Sequence, residues 1–240
     1  MAFTRGATSK QRLKVEWLHP VPAGDVGQGT AATGPLPLAE ALRVLWEDDD
    51  RPLLVLRECK FCRGSDAALF DGSMQNDRAA LLTKWFRVVR LPAAVSEASH
   101  PFYNVFAAYP TEGSPAHFFL LAHPDAQPVQ FTGMQTPSSL WRGMTSVLQQ
   151  RYGKDPQKAV KQWVALLDQF DRVDAAIAAR QAELYETRAD EGPTSSKARR
   201  LEQRLDDLRQ ERDALIADEA RVRDLHLLST GKPSEATATK

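Results

Sequence analysis

The pattern of apolar and polar positions changes twice along the 240-residue chain. Residues 1–35 are polar and rich in glycine and proline, and only KVEWL (14–18) could pair as a strand, so we expect an N-terminal arm or loop. Between residues 36 and 152, short apolar segments alternate with turn residues. Beyond residue 152, apolar residues recur at helical spacing over two long stretches.

The middle part, residues 36–152, predicts an α/β domain. A helix begins at Pro37, where apolar residues follow at helical spacing. The apolar segments RPLLVLRE (51–58) and WFRVVRL (85–91) predict two buried central strands. This order of elements implies a mixed sheet with helices on both faces. The other predicted elements are helices over 64–71, 77–84, 100–109 and 137–151, and a β-hairpin with strands at 118–122 and 128–131.

Residues 155–229 predict two long amphipathic helices that form an antiparallel, coiled-coil-like hairpin. The turn EGPTSS separates them and offers a Ser or Thr N-cap. Arg212 and Glu219 fall at positions that a strict heptad would make apolar, so the seam is imperfect. The tail 230–240 is expected to be disordered. The apolar stripe consists of Val160, Trp163, Leu167, Phe170, Val173, Ile177 and Leu184 in the first helix and Leu201, Leu205, Leu208, Leu215 and Val222 in the second.

The net charge and the lack of long apolar runs argue against a nucleic-acid binder, a secreted protein and a membrane protein. The chain carries 31 basic and 31 acidic residues, and this zero net charge argues against a general nucleic-acid binder. The first twenty residues contain no apolar run of the length of a secretory signal, and no stretch is long and apolar enough to cross a membrane. We therefore expect a cytoplasmic protein with no membrane association.

Both cysteines lie in the segment RECKFCRGSD (57–66), directly after the first predicted strand. In the cytosol, a lone pair of cysteines favours a catalytic, redox-sensing or metal-binding role over a structural disulfide. At the start of a helix, backbone N–H groups stabilise a thiolate. Lys60 and Arg63 would favour that thiolate, whereas Glu58 would oppose it. A redox pair, two inert buried cysteines and a metal site are the three alternatives.

These features resemble the thioredoxin superfamily, in particular the bacterial thioredoxin-like domains that carry a CxxC motif. The strand PLLVLRE runs into Cys59 and Cys62 and a helix, and Ser114 and Pro115 precede the strand FFLLA of the hairpin. The resemblance covers residues 36–152 and implies a thioredoxin-like mixed sheet flanked by helices. It further implies that Cys59 is the nucleophile and Cys62 the resolving thiol.

The same resemblance assigns a substrate groove beside the cysteines. Pro115 would be a cis-proline that shapes the groove with Ser114, and Phe61 would be a core or groove residue. His117 follows closely, but a zinc site needs four ligands and the chain has only two thiols, so no metal site is expected. No bound cofactor is implied.

Two functions of different classes follow. The first is a thiol–disulfide oxidoreductase acting on protein or small-molecule disulfides, with a protein or small thiol as electron donor. The second is a redox-inactive scaffold whose helical hairpin mediates protein–protein interaction. Helices of this length span more than about 45 Å, so we expect part of their apolar stripe to meet a partner or a second copy. The pKa of the Cys59 thiol discriminates between the two.

Overall fold

The computed structural model describes residues 4–20, 34–46, 49–58, 76–108, 118–129, 131 and 136–228. The chain divides into two units. The helix unit comprises Met1–Lys14 and Gln157–Leu225, and the sheet unit comprises Val15–Pro156 and His226–Lys240. The predicted helix over 64–71, the cysteine pair and the tail 230–240 lie outside the described residues.

The described part of the chain contains seven α-helices and three β-strands, which confirms the predicted mixed α/β class. Two short 3-10 helices, Thr83–Trp85 and Ala93–Ser96, are also present. In chain order the elements are α1 (Ala7–Leu13), α2 (Leu38–Trp46), β1 (Leu53–Arg57), α3 (Asp77–Leu82), β2 (Arg87–Leu91), α4 (Tyr103–Ala107), β3 (Phe118–Leu121), α5 (Pro137–Arg151), α6 (Pro156–Glu191) and α7 (Ser196–Arg223).

The sheet has the strand order β2–β1–β3, with β1 in the centre. β1 runs parallel to β2 and antiparallel to β3, so that Val55 lies opposite Val89 on one side and Phe119 on the other. Single bridges extend the sheet beyond both outer strands: Leu18 pairs in parallel with Val89, and Leu120 pairs antiparallel with Val129. The KVEWL segment thus does pair with the sheet, at its last residue.

Helices cover both faces of this sheet. On one face, β1, β2 and β3 pack with α2 and α4 in a core that includes Leu45, Val55 and Phe102. Because side chains alternate along a strand, Leu54, Leu56 and Leu120 point to the opposite face, where Leu120 lies close to Gly143 of α5. Burial on both faces of this central strand explains why the first four residues of β1 are apolar.

Two predicted elements are shorter than their sequence pattern suggested. Among the described residues of the predicted second hairpin strand, only Val129 pairs, in its bridge to Leu120, and the preceding Pro128 has no N–H to donate to a ladder. The helix predicted over 100–109 is α4, Tyr103–Ala107, and residues 101–102 before it form a turn. By contrast, α5 occupies the predicted range 137–151, and its N-cap is Thr136, whose Oγ1 accepts a hydrogen bond from the N–H of Ser139.

The helix unit buries most of the predicted apolar stripe. Ile177 and Val222 are half-buried, and every other member is buried within the single chain. Ile177 packs against a cluster formed by Leu184 of α6 and by Ala198, Leu201 and Leu205 of α7. The predicted length of the two helices suggested that part of this stripe meets a partner or a second copy. In the structure, little of the stripe is exposed.

The N-terminal arm differs from the expected loop, because residues Ala7–Leu13 form α1 and belong to the helix unit. Its buried side chains are Ser9 and Leu13. A helix held by so few apolar residues has no hydrophobic periodicity to reveal it.

Candidate functional site

The described residues that border the candidate site lie at the carboxyl edge of the sheet, where β1 ends. Arg57 is the last residue of β1, and the N–H of Glu58 donates a 2.9 Å hydrogen bond to the carbonyl oxygen of Leu91 at the end of β2. Because β1 and β2 are parallel, their carboxyl ends meet at this edge. Cys59 follows Glu58 directly in the chain.

The strand β3 begins at the same edge. Its first residue, Phe118, is the partner of Leu56 in the antiparallel register. Ser114 and Pro115 precede Phe118 by four and three residues. The register therefore places the end of β1 and the start of β3 at the same edge of the sheet. Glu58 and Phe118 are the described residues that border the two segments, 59–75 and 109–117, in which the site was predicted.

The five predicted site residues themselves lie outside the described residues, as does His117. Their roles, the cis state of Pro115 and the distances among them stay predictions. The five residues are Cys59, Phe61, Cys62, Ser114 and Pro115.

An ion pair stands directly beside the cysteine segment. Nε of Arg90 donates a 2.7 Å hydrogen bond to Oε1 of Glu58, and both side chains are partly exposed. From the sequence, Glu58 was expected to oppose a thiolate on Cys59. Its pairing with Arg90 offsets part of that negative charge, so the opposition is weaker than the sequence suggested. Sequence reasoning missed Arg90, because only the parallel register brings it next to Glu58.

A second cation lies at the same edge. The guanidinium carbon of Arg57 is 5.6 Å from the ring centroid of Phe106, a distance at which cation–π attraction acts. Phe106 in turn lies against Phe119, with ring centroids 5.9 Å apart. Partial burial lowers the pKa of the Arg57 guanidinium. Arg57 therefore adds a positive charge to this edge beyond the Arg90–Glu58 pair, which favours anionic groups, including a thiolate.

A separate polar cluster lies at the amino end of β1. The Arg51 guanidinium donates to both carboxylate oxygens of Asp49, at 3.0 Å to Oδ1 and 2.6 Å to Oδ2. Burial alone would raise the pKa of Asp49, but the hydrogen bonds from Arg51 lower it. Nearby, the hydroxyl of Tyr152 donates a 2.7 Å hydrogen bond to the carbonyl oxygen of Trp85, and burial raises the pKa of Tyr152 to about 12. This end of the strand is opposite to the cysteine segment, so we interpret the cluster as structural.

His100 is the buried histidine of the described sheet unit. Its Nδ1 accepts a 3.2 Å hydrogen bond from the N–H of Phe102, and burial lowers its pKa. A neutral imidazole that accepts through Nδ1 carries its proton on Nε2. Among the described residues, no group of three His, Cys, Asp or Glu side chains has the arrangement of a metal site. His100 is therefore interpreted as a core histidine.

No model of a protein family, no curated protein and no solved structure matches this chain. No helix among the described ranges is both long and apolar enough to span a membrane. The order of strands around the cysteine segment and the charges at that edge are the features that bear on function.

Proposed function

We propose that the protein is a thioredoxin-like thiol–disulfide oxidoreductase that acts on protein or small-molecule disulfides through Cys59 and Cys62. The observation that carries this proposal is the position of β1. It is the central strand, it has a parallel neighbour on one side and an antiparallel one on the other, and it ends two residues before Cys59. The thioredoxin-like resemblance implies a CxxC motif at such a strand end.

The proposed chemistry takes place in two exchange steps. The Cys59 thiolate attacks one sulfur of a substrate disulfide, which forms a mixed disulfide and releases the other sulfur as a thiolate. The Cys62 thiolate then attacks Cys59, which releases the second substrate thiol and leaves a Cys59–Cys62 disulfide. Two electrons have passed to the substrate, and a dithiol or two thiols of an electron donor restore the reduced pair. No bound cofactor takes part in these steps.

The charges near the motif support the attacking role of Cys59. Lys60 and Arg63 are its neighbours in sequence, and Arg90 offsets the charge of Glu58. A thiol in electropositive surroundings has a lowered pKa and is a thiolate at neutral pH. The groove is assigned to Phe61, which follows β1 in sequence, and to Ser114 and Pro115, which precede β3. Leu56 of β1 pairs with Phe118 of β3 at this edge. We place the protein in the cytoplasm, where a reduced pair is maintained.

Thiol titration tests this proposal. Alkylation rates of the reduced chain as a function of pH should give a pKa for Cys59 clearly below the reference of about 8.5. The matched Cys59→Ser variant should lose the fast-reacting thiol, and mild oxidation of the unmodified chain should form a disulfide that dithiothreitol reverses. A thiol with an unshifted pKa, or an oxidised chain without an intramolecular disulfide, would contradict the redox assignment.

The second candidate function is that of a redox-inactive thioredoxin-fold scaffold whose antiparallel helical hairpin binds a partner protein or a second copy. Two observations favour it: α6 and α7 belong to a unit separate from the sheet, and Tyr185 of α6 is 78% exposed. Light scattering should then give a dimer mass that Tyr185→Glu reduces. A monomer at all concentrations, together with a reactive Cys59, would reject this candidate in its homodimeric form.

A further inference from the structure

The short helix α1 is held mainly by polar contacts with the long helix α6. Ser9, Arg12 and Leu13 lie at positions i, i+3 and i+4, so they share one face of α1, and Arg5 directly precedes the N-cap Gly6. Arg5, Ser9 and Leu13 are buried, with 4%, 0% and 7% exposure. Lys10 and Gln11 lie between them and are exposed. The segment thus has an inward face that combines basic, hydroxyl and apolar groups.

The amino end of the segment is bound by two carboxylates of α6. Nη1 of Arg5 lies 2.5 Å from Oδ1 of Asp168 and 3.2 Å from Oδ2 of Asp171. The other oxygen of Asp171 accepts a 3.0 Å hydrogen bond from the N–H of Gly6. A Cβ at Gly6 would lie 2.8 Å from that oxygen, so a larger residue would have to displace the Asp171 carboxylate. Ser9 adds a 3.2 Å hydrogen bond from its Oγ to the carbonyl oxygen of Leu167.

The carboxyl end of the segment is bound by a third acidic residue, Glu219, and contacts an aromatic ring, that of Phe170. Nε of Arg12 donates a 2.8 Å hydrogen bond to Oε2 of Glu219 in α7, and its guanidinium carbon lies 4.0 Å from the ring centroid of Phe170. The other oxygen of Glu219 accepts a 3.1 Å hydrogen bond from Nε1 of Trp163. Glu219 is buried, and its hydrogen bonds from Arg12 and Trp163 explain how the apolar seam accommodates an acidic residue.

We infer that α6 and α7 form a receptor site for a short basic helix with the pattern R-G-x-x-S-x-x-R-L, and that residues 4–14 of this chain are its separable ligand. Residues 15–155, which belong to the other unit, separate α1 from α6 in sequence. A helix of seven residues is unstable alone, so its contacts with the receptor site must order it. The same contacts should therefore capture this segment when it is supplied as a separate molecule.

The experiment uses the full chain with its own segment expelled. Arg5→Glu places a third carboxylate against Asp168 and Asp171, so like charges repel the helix. A fluorescent peptide of residues 1–16 is then titrated into this variant, and binding is measured by polarisation. The matched control is Lys10→Glu, which makes the same charge change on the exposed face. The unmodified chain is the second control, because its receptor site is filled.

Saturable binding of the peptide to the Arg5→Glu chain is expected, with at least tenfold weaker binding to the Lys10→Glu and unmodified chains. A peptide that carries Arg5→Ala should bind at least tenfold more weakly than the original peptide. If Arg5→Glu reduces the helical circular dichroism of the chain, the peptide should restore it, whereas the Arg5→Ala peptide should not. Equal binding to all three chains, no binding to the Arg5→Glu chain, or equal affinity of the two peptides would overturn the inference.

Discussion

The buried hydroxyl of Tyr152 should stabilise the sheet unit at neutral pH and lose that effect in alkali. It is 7% exposed and donates a 2.7 Å hydrogen bond to the carbonyl oxygen of Trp85. Tyr152→Phe removes the donor and leaves the carbonyl without it. At pH 8 this change should lower the free energy of unfolding by about 1–2 kcal/mol.

The pH dependence gives this prediction a second, independent part. Burial raises the pKa of Tyr152 to about 12 in the folded chain, against a value of about 10 in the unfolded chain. A raised folded pKa means that the stabilisation is fully present below pH 10 and is lost as the pH rises towards 12. At pH 11 the free energy of unfolding should therefore be lower by roughly 1.4 kcal/mol, which corresponds to one pKa unit. The Tyr152→Phe variant cannot lose it, so the difference between the two chains should shrink by that amount.

Urea unfolding followed by circular dichroism at pH 8 and pH 11 measures both parts. Tyr185→Phe is the matched control, because its hydroxyl group sits on a side chain that is 78% exposed, and it should change the stability at pH 8 by less than about 0.5 kcal/mol. A difference between the unmodified chain and Tyr152→Phe that stays constant from pH 8 to pH 11 would refute the reasoning.

Three further changes test the helices and the candidate site. Gly143→Ala should lower the melting temperature of the chain by an amount equivalent to about 1 kcal/mol, because the new Cβ would lie 3.0–3.1 Å from the buried side chains of Phe131 and Leu120. This overpacking should exceed the gain in helix propensity, so a raised melting temperature would contradict it. Ser195→Ala should cost about 1 kcal/mol in urea unfolding, because its Oγ caps α7, whereas the neighbouring Ser196→Ala should have little effect. Glu58→Gln should lower the pKa of the Cys59 thiol by about half a unit, measured by alkylation rates, because one nearby negative charge is removed; an unchanged or raised pKa would count against the charge argument.

The sheet strands could be predicted because each lies in a short segment rich in apolar residues: β1 and β3 are almost wholly apolar, and β2 contains Val88, Val89 and Leu91. The segments 51–58 and 85–91 contain β1 and β2, and the apolar segment 118–122 contains β3. The N-cap of α5 was also visible, since Thr136 precedes a proline and a helical pattern. Burial on both faces leaves a strong local pattern, and so does an N-cap.

The polar contacts between distant residues could not be predicted. Helix α1 depends on Arg5 and Ser9 meeting α6, more than 150 residues later in the chain, which no local pattern reports. The same holds for Arg90, which reaches Glu58 only through the parallel register. The sequence did mark Arg212 and Glu219 as misfits in the seam. Their partners, Asp174 for Arg212 and Arg12 for Glu219, appeared only in the fold.

Disulfide trapping tests the central proposal most directly. The Cys62→Ser variant lacks the resolving thiol, so under mild oxidation with a disulfide-containing protein it should accumulate a mixed disulfide on Cys59. Mass spectrometry should show the added mass, which a reductant removes, and Cys59→Ser should trap none. A Cys62→Ser chain that captures no disulfide partner, or a Cys59→Ser chain that captures as much, would contradict the account.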